Sequence, residues 1–308
     1  VSWVQVSEDN LRKSNGTGWI PLNLGDIYGV SMSTLPVDPQ NTLNDSLYYT
    51  FYCNPQRQYI LTSYMESKTF GPKGNETSKT NKDGGPDPYL YEVGNNLFIS
   101  PLKPVGSWSF DEGTGTIAND SSGNDNNGTL YGGPTWADGQ INKAISFDGT
   151  DDYVRVNGNN FNFGATTDFT TELWVKSNEL TKNPHLIYKG ASTVNSLPGF
   201  YVRRTGNKYV ALIHDGTNYK YSTFNFTPST NWEHLVVVFD RDGYLTAYLN
   251  GVPCTNPIDI SNIGNIDNSS YLRIGGTGDS LNGLIDEVRI YDRALSAEEI
   301  KRHYEMSK

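Results

Sequence analysis

Apolar and polar residues alternate with a period of two over much of the chain's second two-thirds. Leu284, Asp286, Val288 and Ile290 fall on one face of an extended segment, and Ile285, Glu287, Arg289 and Tyr291 on the other. Strand-like segments also occupy 108–110, 128–130, 147–154, 169–176, 232–240 and 247–251, separated by Gly, Asn and Asp clusters. That rhythm predicts antiparallel strands in two packed sheets, with Trp174, Val236, Val238, Leu249 and Val288 buried between or beneath them. The period changes after Tyr291. Ser296 followed three residues on by Glu299 is a capping box, which predicts a short helix there.

The first hundred residues are punctuated differently. Segments 47–52 and 59–65 are rich in Tyr, Thr and Phe and predict a hairpin closed by a polar loop at Asn54 and Pro55. Residues 71–88 are dominated by Gly, Pro, Lys, Asn and Asp, so an exposed irregular loop is expected, before order returns at 89–94. Pro101 and Pro104 form a stiff connector. The expected organisation is a head over residues 1–104 and a sandwich over 105–308.

Composition narrows the classes. Only 36% of residues are hydrophobic, which suits short strands and many turns better than a helix bundle. The formal net charge is -10. Residues 1–104 hold 8 Lys and Arg against 10 Asp and Glu, and the remainder 16 against 24, so most of the negative charge belongs to the sandwich. Such a surface is a poor partner for nucleic acid or anionic lipid and is compatible with a cation or a neutral ligand. Cys53 and Cys254 make neither a disulfide framework nor a zinc spacing. No apolar run approaches the roughly 18 residues of a membrane span.

The motifs of the second region carry a resemblance. Trp108-Ser109-Phe110-Asp111-Glu112-Gly113, Asp120-Ser121-Ser122-Gly123-Asn124, Phe147-Asp148-Gly149-Thr150-Asp151-Asp152-Tyr153-Val154, Phe169 to Lys176, Trp232 to Asp240 and the segment 283–300 follow one another in order. This region resembles bacterial laminin-G-like domains of the concanavalin A-like type. The resemblance implies a mainly β fold, an antiparallel jelly-roll sandwich whose first strand, near Trp108, pairs close to the last, near Val288, and the role of a binding module. The head carries a second one. Leu35-Pro36-Val37-Asp38-Pro39, the Tyr-rich strands, Met65-Glu66-Ser67 and Tyr91-Glu92-Val93-Gly94 resemble the small α+β head of type IV pilin-like proteins, in particular type II secretion pseudopilins. That implies other pilin-like subunits as partners, a bacterial surface or extracellular setting, and contact with membrane only through an N-terminal apolar helix that is missing here.

Catalytic patterns are absent. Hydrolases on the concanavalin A-like fold need two carboxylates facing across a cleft. Asp286-Glu287 and Asp151-Asp152 are adjacent pairs that point to opposite faces of a strand. No zinc-protease, nucleophile-elbow or phosphate-loop spacing occurs. A metal is better supported: the 120–128 turn offers oxygen ligands around permissive glycines. The laminin-G resemblance implies a structural Ca²⁺ there, held by Asp120 and Asn124, with Asp286 as a further carboxylate. A glycan needs aromatic platforms beside polar groups. Tyr219 and Tyr221 share one strand face, His214 lies near the turn before them, and Trp136 sits in an open loop. The expected function is a non-enzymatic adhesion module, a pilin-like subunit carrying a lectin-like domain for a glycan or a surface protein. Two alternatives are a structural filament subunit with a spacer sandwich and a glycan-active hydrolase.

Overall fold

The computed structural model describes residues 49–53, 59–64, 90–94, 103–190, 197–276 and 280–308. The chain divides into two compact units, with 102–308 in the second. In the first, β1 (Tyr49–Cys53), β2 (Tyr59–Tyr64) and β3 (Leu90–Gly94) form an antiparallel sheet in the order β1-β2-β3. The pairing runs from Tyr49↔Ser63 to Cys53↔Tyr59, as the two Tyr-rich segments predict. The loop at Asn54 and Pro55 and the segment 71–88 lie outside the described residues.

The second unit is a two-sheet antiparallel sandwich. A nine-stranded sheet holds β4 (Gly106–Trp108), β7 (Thr135–Asp138), β8 (Lys143–Asp148), β10 (Phe169–Ser177), β15 (Trp232–Phe239), β16 (Tyr244–Leu249), β17 (Val252–Pro253), β18 (Ile258–Asp259) and β20 (Asn282–Tyr291). An eight-stranded sheet holds β5 (Ile117–Ala118), β6 (Gly128–Tyr131), β9 (Tyr153–Val156), β11 (His185–Lys189), β12 (Gly199–Thr205), β13 (Lys208–His214), β14 (Tyr219–Thr223) and β19 (Leu272–Ile274). The main path of the first is β17-β16-β15-β10-β20-β8-β7, and the order of the second is β14-β13-β12-β11-β19-β9-β6-β5. Inward side chains from both make one core, threaded by Phe163, Phe169 and Phe239, whose rings stack at 4.4 and 4.2 Å.

The first and last strands meet as expected, with Val288↔Trp108, Arg289↔Ser107 and Ile290↔Gly106 paired. The helix also forms. α1 (Ala297–Ser307) starts at Ser296, whose hydroxyl accepts from Glu299 N at 3.2 Å while the Glu299 carboxylate accepts from Ser296 N at 2.9 Å. A second apolar cluster on the outer face of the nine-stranded sheet joins Val236, Val238, Tyr248 and Tyr291 to Leu295 and Ile300. Trp174 lies on this side rather than between the sheets. It is buried, near His234 and Tyr304, and donates its indole N–H to Ser307 Oγ at 3.1 Å. Leu249 is only partly buried.

One expectation fails in β20. Simple alternation puts Asp286 on the same face as Val288 and opposite Glu287. The ladder to β10 instead jumps from Trp174↔Asp286 to Glu172↔Arg289, so Glu287 and Val288 together oppose Leu173. This bulge, with Glu287 at φ 51, resets the parity. Ile285 and Val288, three apart, both reach the core, whereas Asp286 faces the same side as Trp174 and Arg289. A non-glycine residue in this conformation costs roughly 1–3 kcal/mol, which the paired strands on both edges must hold in place.

The reset gathers charge beneath α1. Glu172, His234, Asp286, Glu287, Arg289 and His303 are all buried. Glu172 Oε1 meets His234 Nε2 at 2.8 Å, Glu172 Oε2 meets His303 Nδ1 at 3.1 Å, and Arg289 pairs with Glu287 and approaches Glu172 to 3.9 Å. Burial pushes Glu172 up, but the charges and hydrogen bonds of His303 and His234 outweigh it and hold the carboxyl well below its usual range. Burial pushes His234 down. Burial pushes Glu287 up to about 7, and burial together with the Glu287 charge raises Asp286 well above its usual value.

These shifts fix a pH response. A raised Glu287 favours the fold while protonated, a contribution complete below the usual Glu value and lost as pH rises through about 7. Glu172, depressed, contributes at both pH 5 and pH 8 and loses its share only in acid. Glu287→Gln, which cannot ionise, is therefore expected to gain stability relative to wild type by a few kcal/mol at most between pH 5 and pH 8. Thermal unfolding of both proteins at the two pH values checks this, and an unchanged difference would show that Glu287 is already ionised in the fold.

Candidate functional site

The two outward sheet faces have opposite characters. The outer face of the nine-stranded sheet is occupied by the apolar cluster shared with α1 and by the buried charges just described. The eight strands of the other sheet contain no Asp or Glu at all. In β9, β12 and β19, Val154, Val156, Phe200, Val202, Leu272 and Ile274 enter the core, so Tyr153, Arg155, Tyr201, Arg203 and Arg273 turn outward.

The outward residues form a ladder. Tyr131 and Tyr153 stack with ring centroids 5.2 Å apart and planes at 8°. The Arg155 guanidinium lies 4.2 Å from the Tyr131 centroid and 4.5 Å from that of Tyr271, and it also donates to the Tyr131 hydroxyl. The Arg273 guanidinium lies 4.8 Å from Tyr153 and 5.9 Å from Tyr188, and that of Arg203 lies 5.1 Å from Tyr201. Each such contact contributes about 0.5–1 kcal/mol at an exposed site. None of Arg155, Arg203 and Arg273 pairs with a carboxylate among the described residues. Tyr188 and Tyr201 are buried with Leu212, and burial raises the Tyr201 hydroxyl. Tyr271 is 48% exposed.

The residues singled out by sequence are dispersed. Tyr219 and Tyr221 stand exposed on the edge strand β14, with rings 6.4 Å apart and planes at 16°. His214 is buried on β13 beside Tyr219, and its Nδ1 has no partner among the described residues. Asp215 closes the turn between these strands. Its partial burial is outweighed by N–H donors from Asn218, Gly264 and Thr217, which hold its carboxyl at about 2. Trp136 does not join them. It lies on β7 at the edge of the other sheet, half-buried against the core, and donates to Gly115 O at 3.0 Å. The strands packed near β14 are β16 and β18, at the far side of that sheet from β7.

The proposed calcium ligands do not form a cage. Asp120 Oδ1 accepts from Ser107 N and Ser122 N, each at 2.9 Å, and Oδ2 from Ser122 Oγ at 2.7 Å and Asn126 N at 2.9 Å. Both oxygens are thus used to tie the turn to β4. Asn124 directs its Nδ2 at Val105 O and Ser122 Oγ. Asp286 accepts instead from Ile141 N at 2.9 Å, in a different loop. This set does not fit a cation shared by the three. The carboxylates that converge are Asp148, Asp151 and Asp152, and Asp168, Asp240 and Asp242, each set with oxygens within 4.8 Å of one another. Cys254 is half-buried with its thiol pushed up by burial to about 12, an unreactive group.

Sequence comparison agrees with this architecture. A profile of the concanavalin A-like lectin/glucanases superfamily, of the laminin-G type, matches residues 148–301. The chain belongs to that superfamily. No curated protein sequence matches the chain. Among solved structures, the binding domain of paraclostridial mosquitocidal protein 1 is similar at 22% identity with a TM-score of 0.57, over 65% of this chain and 51% of that one. The binding domain of botulinum neurotoxin serotype D is similar at 17% identity with a TM-score of 0.55, over 66% and 51%. A serotype D ligand-binding domain in complex with N-acetylneuraminic acid gives 17% identity and a TM-score of 0.54, over 66% and 50%. The chain spans about half the length of these structures, and the likeness establishes a shared fold.

Asp120→Ala removes the acceptor for four donors around β4. It is expected to lower stability by about 2 kcal/mol, equally in calcium and in EDTA. Thermal unfolding in the two buffers checks this. A loss seen only in calcium would return Asp120 to the role of metal ligand.

Proposed function

We propose that the sandwich is a non-enzymatic binding module that recognises carbohydrate at a cell or extracellular surface through the outward face of its eight-stranded sheet. The observation that carries this reading is the ladder of Tyr131, Tyr153 and Tyr271 with Arg155 and Arg273 on a sheet that lacks carboxylates. Tyrosine rings offer flat apolar surface for the C–H faces of sugars, and guanidinium groups offer donors for their oxygens. The family, and structural relatives that are themselves binding domains, support the same reading. The serotype D domain bound to N-acetylneuraminic acid shows that a relative of this fold sits within a glycan-binding chain.

A hydrolase is the weaker reading. Glu172, Asp286 and Glu287 come close together on the nine-stranded sheet, but they are buried beneath α1 and do not face each other across an open cleft. A pure spacer has no use for guanidinium groups left without counter-charges. The comparisons all concern the sandwich; a pilin-like role for residues 1–104, with other pilin-like subunits as partners, has no support from them, and the proposal does not rest on it.

Binding of an immobilised glycan panel by the intact chain tests the reading. Wild type is expected to retain a subset of glycans, and Tyr153→Ala and Tyr271→Ala to weaken that retention about tenfold while leaving thermal stability within about 1 kcal/mol. Absence of binding to every glycan, or binding indifferent to both substitutions, would overturn it.

A further inference from the structure

We propose that the ladder face takes a polyuronide, a glycan carrying a carboxylate on successive sugar rings. This deepens the carbohydrate-binding reading and rests on it.

Arginine on a tyrosine ring uses the flat face of the guanidinium for the cation–π contact. The N–H groups lie in the plane and remain available for a carboxylate, which they meet in a two-pronged geometry. Apart from the bond from Arg155 to the Tyr131 hydroxyl, no hydrogen bond from the guanidinium groups of Arg155, Arg203 or Arg273 is made to a described residue. Arg203 Nε is buried with no partner at all among the described residues.

The placement of the three charges is the second argument. Arg273 and Arg155 are direct cross-strand partners on β19 and β9. Like charges directly opposite one another destabilise a sheet, and no carboxylate of these strands lies between them. An anion does what the protein leaves undone. Arg203 lies two strands further along, past β11, and two residues along β12 from Tyr201, which is level with Arg273, so strand spacing and rise put Arg155 roughly 5 Å from Arg273 across the sheet and Arg203 roughly 10 Å across and about 7 Å along it. A chain of acidic sugars laid obliquely across the strands presents a carboxylate to each in turn and rests its rings on Tyr153 and Tyr271. A glycan with one terminal acidic sugar satisfies a single arginine. The rest of the protein carries a net negative charge, so a polyanion is repelled elsewhere and steered to this face.

The test is calorimetric titration of the intact chain with oligogalacturonate, its methyl ester, and a singly charged sialyl oligosaccharide. The expected result is binding of the free acid at least tenfold tighter than the ester or the sialyl glycan, with affinity falling as salt rises. Arg273→Gln is expected to remove most of that preference, and the ester comparison in wild type needs no variant to fold. Equal binding of acid and ester would overturn the polyuronide while leaving carbohydrate binding in place. Sialyl glycan binding as tight as the oligogalacturonate would show that one carboxylate suffices, and would also overturn it. Binding of no carbohydrate would overturn both readings.

Discussion

Strand β20 has partners on both edges on either side of its bulge, and the sandwich is organised around that fact. One edge pairs with β10; the other pairs first with β8 and then with β4. Three segments far apart in sequence are thus tied to one ten-residue strand. The bulge at Glu287 sits at the handover from β8 to β4, where a change of partner permits a local break in the ladder. Its cost is tolerated because the strand is held on both sides. Its effect is to turn Asp286, Glu287 and Arg289 toward the charges beneath α1 while Ile285, Val288 and Ile290 stay in the core.

The two sheets divide chemistry between them. The nine-stranded sheet encloses acid groups, and its buried Glu172 is satisfied by two histidines and an arginine. A group so enclosed is committed to architecture: removing one partner would strand the others in a medium that penalises charge. The eight-stranded sheet has no acid group and displays its cations over tyrosine rings. The separation is therefore one of placement as well as sign. The charges of the nine-stranded sheet are paired inside, and Arg155, Arg203 and Arg273 have no carboxylate partner among the described residues.

Much of the sandwich was legible in the sequence because period-two alternation and turn residues report directly on strands. The capping box at Ser296 followed from local pattern alone, and the pairing of Trp108 with Val288 from the jelly-roll resemblance. What the sequence hid are effects of neighbours that are distant along the chain. The parity reset in β20 depends on a change of partner strand, which no local pattern reveals. Asp120 looks like a cation ligand until Ser107 and Asn126 are brought to its oxygens. The ladder was missed because Tyr131, Arg155 and Tyr271 lie on or beside three strands separated by long stretches of chain, each unremarkable by itself. A signal was nevertheless present: the segments 117–118, 128–131, 153–156, 185–189, 199–205, 208–214, 219–223 and 272–274 lack any acidic residue in a chain of net charge -10. Tyr219 and Tyr221 were visible because one strand carries both.

The central position of β20 also sets an order of events during synthesis. The ribosome makes β4, β8 and β10 long before it makes residues 282–291, and until then each of the three lacks β20 on one edge. The eight-stranded sheet is in a similar position, since β11 and β9 are joined only through β19. Nascent chains up to that point expose unpaired strand edges beside a half-built core, the state in which β-proteins misassociate. Closure must therefore follow translation of nearly the whole sandwich rather than accompany it, and its rate is governed by loops more than a hundred residues long. A chain of this kind gains from being held unfolded while it is made, and from being released to fold only when its central strand has emerged.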